Sequence, residues 1–296
     1  MLLVVTICWG VSFPAIKSAT PYVSATLFVA IRFLAATLLL TIMWPWLLRL
    51  LPRSEASQGW GLLGNRRGWR WGFELGVLIA LGYVTQTIGM HSTSANNSAF
   101  ITALSVVLVP VLLFGLRGVR PGRIVGAAIV IAVVGLVLLT RPDVGGLAPG
   151  DLWTVGTALA YALYLIRLSD GLKEVSFLPL LYWTVAVCAL GTTLLALLVE
   201  TPRLVWRSET VIALLVTTFL STMVALILQN RWQGETTATR AALIFSAEPV
   251  FAALFSYFWL GEMLGWIGFI GGGLILAAVM AIEIFGETDA GQEVKS

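Results

Sequence analysis

The chain is a series of long apolar runs separated by short polar gaps. A membrane-spanning helix needs about 20 mostly apolar residues, and ten runs come close to that length. They are 1–18, 24–48, 72–92, 95–116, 122–140, 150–168, 178–199, 209–230, 237–259 and 264–285. The long gap at 49–71 is polar and glycine-rich and is predicted to be a loop. This pattern predicts an all-α polytopic membrane protein with ten transmembrane helices.

The composition supports this class. Of the 296 residues, 58% are hydrophobic and 11% are charged, whereas soluble domains carry roughly 25% charged residues. The net charge is only +3, and the arginines lie in the gaps, where they act as topology signals rather than as a nucleic-acid surface. Cys8 and Cys188 both fall inside apolar runs and lack metal-ligand spacing. No metal site, cofactor or disulfide framework is predicted.

The distribution of Lys and Arg predicts the orientation. With the first end in the cytoplasm, thirteen of them fall in cytoplasmic gaps and four in external ones. Positive charge accumulates on the cytoplasmic side, so both termini are expected there. The apolar start lacks the basic leader and cleavage site of a secretory signal and is interpreted as the first span. Native residues before Met1 are not excluded.

The chain contains a weak internal repeat, because 93–140 resembles 236–283 at a spacing of 143 residues. The matched pairs are Ala95 with Ala238, Ala99 with Ala242, Ile101 with Ile244 and Gln86 with Gln229. A unit of five helices is odd, so its second copy enters the membrane inverted, as in many secondary transporters. The predicted units are a first repeat at 1–140, a connector at 141–149, a second repeat at 150–285 and a disordered cytoplasmic tail at 286–296.

Several short motifs occur in the order and spacing of a known family. They are Trp9-Gly10-x-Ser12-Phe13, Arg32-Phe33, Ala247-Glu248-Pro249-Val250 and Leu260-Gly261-Glu262. On these residues the chain resembles the EamA type of the drug/metabolite transporter superfamily. The resemblance implies ten helices around a central cavity, alternating access, and export of small metabolites. It is similar to bacterial amino-acid exporters, including those for aromatic amino acids. The first copy departs from the pattern, with Arg120 where the second has Glu262.

Two charged residues lie deep inside apolar runs, at least eight residues from either end, where charge is costly and usually faces a cavity or a partner. Glu248 either contacts a substrate amine or carries a proton, or it is a structural carboxylate at a helix break. Arg32 either holds a substrate carboxylate, snorkels to the membrane interface or ties helices together through backbone carbonyls. Pro249 bends the helix that carries Glu248. His91, the only histidine, is either a proton sensor or a surface residue.

Polar amides and deep aromatic side chains complete the candidates for a central cavity, although each could equally serve packing between helices or against lipid. The predicted substrate-binding set is Trp9, Phe13, Tyr83, Gln86, Asn96, Asn97, Phe100, Tyr161, Tyr164, Trp183, Gln229, Phe245 and Glu248. This cavity is expected between spans 1, 3, 4, 6, 8 and 9. Glycines at a spacing of four, such as Gly268 and Gly272, favour close helix packing or a homodimer.

Together these features predict a secondary transporter, not an enzyme, that exports small metabolites across the bacterial inner membrane, with amino acids as the leading substrate class. Its partners would be a small-molecule substrate and lipid, not nucleic acid, with the chain as monomer or homodimer. Three alternatives stay open: an exporter of drugs, other metabolites or a lipid-linked sugar; an intramembrane enzyme; and a non-transporting scaffold. No paired aspartates or Ser/His pair at membrane depth supports the enzyme, and the repeat with its Glu-Pro step argues against the scaffold.

Overall fold

The computed structural model describes residues 1–140, 148–261 and 265–285, and they are almost entirely helical. The α-helices are α1 Leu2–Gly10, α2 Ser12–Ala19, α3 Ala25–Leu47, α4 Arg53–Ala56, α5 Arg66–Met90, α6 Ala95–Ala103, α7 Ser105–Arg117, α8 Arg123–Thr140, α9 Pro149–Glu174, α10 Phe177–Leu198, α11 Ser208–Val216, α12 Ala225–Trp232, α13 Ala238–Phe245, α14 Glu248–Leu260 and α15 Trp266–Phe285. A π-helix, Thr217–Val224, joins α11 to α12, and 3₁₀ turns occupy Leu48–Leu50, Gly59–Gly64 and Gln233–Glu235.

Eight helical segments in the described ranges are long and apolar enough to cross a membrane. They are Leu2–Ala19, Ala25–Leu50, Arg66–Met90, Ala95–Arg117, Pro149–Glu174, Phe177–Leu198, Ser208–Glu235 and Ala238–Leu260. Two further apolar helices, α8 and α15, have shorter described stretches, Arg123–Leu139 and Trp266–Ala281. The chain is therefore a polytopic, all-helical membrane protein, and the count of ten spans stays a prediction. The predicted tail at 286–296 lies outside the described residues.

The prediction of a loop over 49–71 is wrong for residues 66–71, which are helical. The side chain of Asn65 accepts a hydrogen bond from the backbone N–H of Arg67 at 2.9 Å, which caps a helix that begins at Arg66. An N-cap of this kind satisfies a backbone donor that a helix start would otherwise leave free. The cluster of arginines therefore forms the first turns of α5 and extends the third apolar run beyond its hydrophobic part.

Three segments consist of two short helices each: α1 with α2, α6 with α7, and α13 with α14. In the last of these, Pro249 lies in the first turn of α14, where its missing N–H has no intrahelical partner to lose. The sequence placed Pro249 as a bend inside a continuous helix. The break instead falls two to three residues earlier, at Ser246 and Ala247, and Glu248 is the first residue of the new helix.

Corresponding points of the two halves have the same local structure at the spacing of 143. Ser94 and Thr237 both accept a hydrogen bond from the backbone N–H three residues later. The helices α7 and α14 both have 13 residues. Each is followed by a glycine at φ +70°, a conformation that residues with a side chain rarely adopt.

Packing within the bundle brings helices of the two halves together. The helix α8 packs along α15, α3 packs along α10, and α5 packs against both α9 and α10. The contact between α8 and α15 is close because two glycines face each other. A Cβ added to Gly271 would lie 2.5 Å from the carbonyl oxygen of Gly135. Gly135 and Gly271 therefore serve close packing between two helices of the same chain.

The two ends of the bundle differ in charge. We call the end that holds Arg66, Arg117, Arg167 and Arg231 the basic end. There, Arg117 pairs with Asp170 at 2.5 Å, and Arg167 pairs with both Asp170 and Glu74, which ties α5, α7 and α9 together.

At the opposite end the loops of the two halves meet through hydrogen bonds. Thr93 donates to Asp151 at 2.5 Å, and Thr26 donates to Glu200 through both its backbone and its side chain. The amine of Lys17 donates to the carbonyl oxygens of Met90 and Thr93, each at 2.7 Å. Contacts within the chain therefore join neighbouring segments at both ends of the bundle.

Candidate functional site

A buried cavity lies near the middle of the bundle, at the level of the helix breaks. Its wall is formed by Trp9, Ser12, Ile79, Tyr83, Gln86, Thr102, Ser105, Tyr161, Tyr164, Leu165, Gln229, Phe245 and Glu248. These residues come from the first, third, fourth, sixth, eighth and ninth apolar runs, the six that the sequence analysis assigned to a cavity. The volume that the centre of a water molecule can occupy in this cavity is about 40 Å³, which is enough for a few waters. The cavity is therefore contracted in this structure, and an organic ligand needs side chains of the wall to move.

Glu248 gives this wall its one acidic group. It is 7% exposed, and it has no hydrogen-bond or ion-pair partner among the residues that the structure describes. Its position follows from the local fold, because the break before α14 turns the first residue of that helix toward the cavity. A carboxylate in such a place can be enclosed only when its charge is neutralised, either by a proton or by a cationic group of a ligand.

Arg32 lies behind the wall, on α3. It is 1% exposed, and its Nε donates to the hydroxyl of Thr222 at 2.6 Å. Its guanidinium stacks on the ring of Tyr83, with Cζ 4.3 Å from the ring centroid. Nη2 is buried without a hydrogen-bond partner in the described part of the chain. The cavity region therefore contains a buried base and a buried acid that are not paired with each other.

The π-helix explains how Arg32 finds its partner. In the wide turn, the hydroxyl of Thr222 donates to the carbonyl of Thr217, five residues earlier, at 3.0 Å. The same turn is fixed to the first segment, because Trp9 Nε1 donates to the carbonyl of Ser221 at 3.1 Å. Single π-turns within α-helices are frequent at functional sites. Here the turn joins a wall residue to the residue that holds the arginine.

Aromatic rings form most of the remaining surface. The ring of Tyr83 meets that of Tyr161 edge-on at 5.5 Å, and Trp9 meets Phe245 at 5.0 Å. The hydroxyl of Tyr161 and the side-chain oxygen Oε1 of Gln229 are buried and have no hydrogen-bond partner within the described ranges. The cavity thus combines flat apolar faces with unused hydrogen-bonding groups.

The two matched glutamines both reach the cavity wall. Gln86 donates to the hydroxyl of Thr102 at 3.3 Å, and Gln229 donates to the side-chain oxygen of Gln233 at 2.9 Å. Gln233 in turn donates to the carbonyl of Leu165 at 2.9 Å. These bonds join neighbouring helices on either side of the cavity.

Five residues of the predicted substrate-binding set lie elsewhere. Phe13 is fully buried in a separate apolar cluster with Ile16, Phe28 and Met90. Phe100 packs against the main core. Asn96 and Asn97 lie in the first turn of α6, toward the end opposite the basic end. Trp183 packs edge-on against Trp69 at 4.8 Å and donates to the carbonyl of Leu63 at 3.2 Å.

The candidates His91 and Pro249 do not belong to the cavity wall. His91 is the exposed residue that ends α5, outside the membrane-spanning segment. Desolvation lowers the pKa of His91, and the charge of Lys17 lowers it further, whereas Glu200 raises it. Pro249 follows Glu248 and starts α14.

The sequence analysis missed five residues of the wall. They are Ser12, Ile79, Thr102, Ser105 and Leu165. The signal that could have found them is helical spacing, because residues three or four apart share a face. Ser12 follows Trp9 by three positions, and Ile79 precedes Tyr83 by four.

Comparison with known proteins places this fold among transporters. The sequence model described as the EamA-like transporter family matches residues 1–141 and again residues 148–284. A protein of Archaeoglobus fulgidus named as an uncharacterized transporter is 30% identical over 285 residues, covering 96% of this chain and 84% of that protein.

A solved structure, titled only as the crystal structure of a protein, has the same fold. It matches with a TM-score of 0.74 at 15% identity, covering 100% of this chain and 98% of that one. Two matches to one family, covering nearly the whole chain, agree with the helical membrane fold described above. The chain belongs to the EamA-like transporter family.

Proposed function

We propose that this transporter exports amino acids, including aromatic ones, by alternating access through the central cavity. The observation that carries the proposal is a buried carboxyl group in the cavity wall, Glu248, and a buried guanidinium behind that wall, Arg32, which are not paired with each other. Glu248 suits an ammonium group, and Arg32 suits a carboxylate once the ring of Tyr83 moves aside. An amino-acid zwitterion supplies both groups and would neutralise both buried charges, which each cost free energy when left alone.

The shape and chemistry of the wall support an amphipathic ligand. Tyr83, Tyr161, Trp9 and Phe245 present ring faces and edges, which favour contact with flat apolar side chains. Gln86 and other neutral polar groups can accept hydrogen bonds without adding charge. A cationic drug would gain from Glu248 but would leave Arg32 without an anion, so the zwitterion fits this site better.

Alternating access is supported by the two matched halves. Their broken helices, α6 with α7 and α13 with α14, have corresponding caps and ends at a spacing of 143, and both contribute to the cavity wall. In inverted-repeat transporters, broken helices at the repeat interface form the substrate site. We infer that residues 1–140 and 150–285 are such repeats and rock about this cavity.

The proposal also assigns an orientation in the membrane and an energy source. The basic end faces the cytoplasm of the bacterial inner membrane, because positive charge accumulates on that side. Glu248 is neutralised by a proton in the empty contracted state and by the substrate amine in the loaded one. Export is then coupled to proton exchange at a single carboxylate.

The test is counterflow in proteoliposomes of the full chain, with three matched probes. These are phenylalanine, its decarboxylated amine phenylethylamine, and its deaminated acid phenylpropionate. We expect phenylalanine to exchange at least about tenfold better than either analogue, since a charge-assisted hydrogen bond is worth about 1.5–3 kcal/mol. If phenylethylamine exchanged as well as phenylalanine, the role of Arg32 would be overturned. If no amino acid showed counterflow, amino acids would be excluded as the substrate class.

The variant Glu248→Gln tests whether this carboxyl group binds the substrate amine and carries a proton. A control variant shows whether the loss of a carboxylate elsewhere has the same effect. Glu248→Gln should lose the dependence of counterflow on a pH gradient and should discriminate less against phenylpropionate. Glu209→Gln is the matched control, because Glu209 is only partly buried at the start of α11, at the end opposite the basic end, and the variant should behave as the unchanged protein. Full pH dependence in Glu248→Gln would contradict the proton role.

A further inference from the structure

A second cavity opens at the basic end, outside the site described above. It lies between the segment that follows α3, the turn from α9 to α10, and the end of α12. Its wall contains Leu50, Leu51, Pro52, Glu55, Leu172, Val175, Ser176, Phe177, Asn230, Arg231, Gly234 and Glu235. We call it the vestibule.

Three polar atoms of the vestibule wall have no hydrogen-bond partner in the described part of the chain, and each can accept a hydrogen bond. Asn230 is 1% exposed, and its Nδ2 donates to the carbonyl of Leu226 at 2.9 Å. The carbonyl oxygen Oδ1 of Asn230, the carboxylate oxygen Oε2 of Glu55 and the hydroxyl of Ser176 are buried without hydrogen bonds in the described part of the chain. A buried acceptor without a donor is costly, so these atoms favour a ligand rich in donors.

The charges of the vestibule favour a cation. Arg231 is paired with Glu235 at 3.2 Å, which leaves that pair without net charge. Glu55 takes part in no ion pair among the residues described by the structure. Among the residues of the wall the net charge is therefore negative, at an end of the bundle that is otherwise rich in arginine.

Asn230 also connects the vestibule to the central cavity. Its side chain lies beside the hydroxyl of Tyr164, which belongs to the wall of the central cavity. The preceding residue, Gln229, belongs to the same wall. A residue of the vestibule wall, Asn230, is therefore a direct neighbour of a residue of the central cavity wall, Tyr164.

We propose that the vestibule is a second, peripheral binding site for the ammonium group of the substrate, from which the substrate enters the central cavity past Asn230 and Tyr164. The identity of the amine as a transported amino acid rests on the proposed function. The preference of the vestibule for an ammonium group is a property of Glu55, Ser176 and Asn230 themselves and can be measured without transport.

The experiment labels a single cysteine with two reagents of equal reactive group and opposite charge. The purified full chain, with the buried Cys8 and Cys188 replaced by alanine, receives Leu51→Cys in the vestibule wall. The probes are methanethiosulfonate ethylammonium and methanethiosulfonate ethylsulfonate. Gln58→Cys is the matched control, because Gln58 is exposed in the same loop and outside the wall.

We expect the ratio of ammonium to sulfonate labelling rates to be at least about threefold higher at position 51 than at position 58, since an unpaired carboxylate attracts the cation and repels the anion. Adding Glu55→Gln should lower the ratio at 51 to that at 58. Adding Asn230→Leu should lower it in part. A ratio at 51 no higher than at 58, or one that Glu55→Gln leaves unchanged, would overturn the proposal.

Transport then distinguishes this proposal from the proposed function. If amino acids exchange, Glu55→Gln should raise the KM for substrate offered at the basic end by about threefold and leave kcat unchanged, because Glu55 lies outside the central cavity. An unchanged KM would overturn the role of the vestibule in entry while leaving the central site intact. If no amino acid exchanges but the labelling ratio holds, the proposed substrate fails and the ammonium preference stands.

Discussion

The three consecutive glycines of α15 allow a graded test of how the two halves are held together. An alanine Cβ at Gly271 would lie 2.5 Å from the carbonyl oxygen of Gly135 and would also meet the backbone nitrogen of Leu139. At Gly272 the nearest atom would be 3.5 Å away, in ordinary contact, and at Gly273 nothing lies within 4 Å. Because the neighbours of Gly271 are backbone atoms, they cannot rotate away, and α15 must separate from α8 by about 1 Å.

The magnitude follows from comparing the three variants with one another. Each replacement by alanine gains the same helix propensity, up to about 1 kcal/mol, so the difference between variants isolates the steric cost. Overpacking of this kind costs about 1–3 kcal/mol, equivalent to roughly 2–12 °C in the melting temperature at about 2–4 °C per kcal/mol. Gly271→Ala should therefore melt that far below Gly273→Ala, with Gly272→Ala close to Gly273→Ala.

Thermal unfolding of the purified chain in detergent, followed by the fluorescence of its 12 tryptophans, measures this order. The facing residue supplies an independent check, because a Cβ on Gly135 would lie 2.7 Å from the carbonyl of Gly271, whereas one on Gly126 meets nothing within 4 Å. Equal melting temperatures for Gly271→Ala and Gly273→Ala would refute the close contact between α8 and α15.

Three further predictions concern the cavity and the end opposite the basic end. Gly82→Ala should lower the rate of counterflow by roughly tenfold, because the new Cβ would lie 2.5 Å from Cδ1 of Tyr161 and push that ring into the cavity. Asp151→Ala should destabilise the chain by about 1–3 kcal/mol in thermal unfolding, because Thr93 donates to this buried carboxylate at 2.5 Å. His91→Gln should leave the pH dependence of counterflow unchanged. It should also reduce the loss of stability that occurs as the pH falls below about 6.5, because a lowered pKa in the folded state means that the unfolded state takes up the proton first.

Each of these has a control and an opposing outcome. Gly156→Ala, with its nearest atoms 3.8 Å away, should transport normally, and equal rates for the two glycine variants would contradict crowding by Tyr161. Asp151→Asn keeps one acceptor and should lose less stability than Asp151→Ala. A transport pH profile that shifts in His91→Gln would contradict a location outside the proton pathway.

The pattern of apolar runs was sufficient to predict the class of protein and the approximate position of every long helix, because a segment that crosses lipid must satisfy its own backbone as a helix. A bend was predicted at Pro249, since proline excludes a continuous backbone ladder, and the structure has a full break just before Glu248. The motifs around Trp9, Arg32 and Glu248 were enough to predict the family. Residues 66–71, by contrast, are polar, and hydropathy alone gave no sign that α5 begins there.

The tertiary structure decided which deep residues meet. Core and lipid are both apolar, so hydrophobicity along a membrane helix does not distinguish the face that lines a cavity from the face that packs or meets lipid. Trp183 and Tyr161 are both aromatic residues deep in apolar runs, yet one packs under the loop at Leu63 and the other lines the cavity. That Arg32 and Glu248 do not pair with each other, and that Asn230 lies beside Tyr164, depends on side-chain contacts between distant parts of the chain.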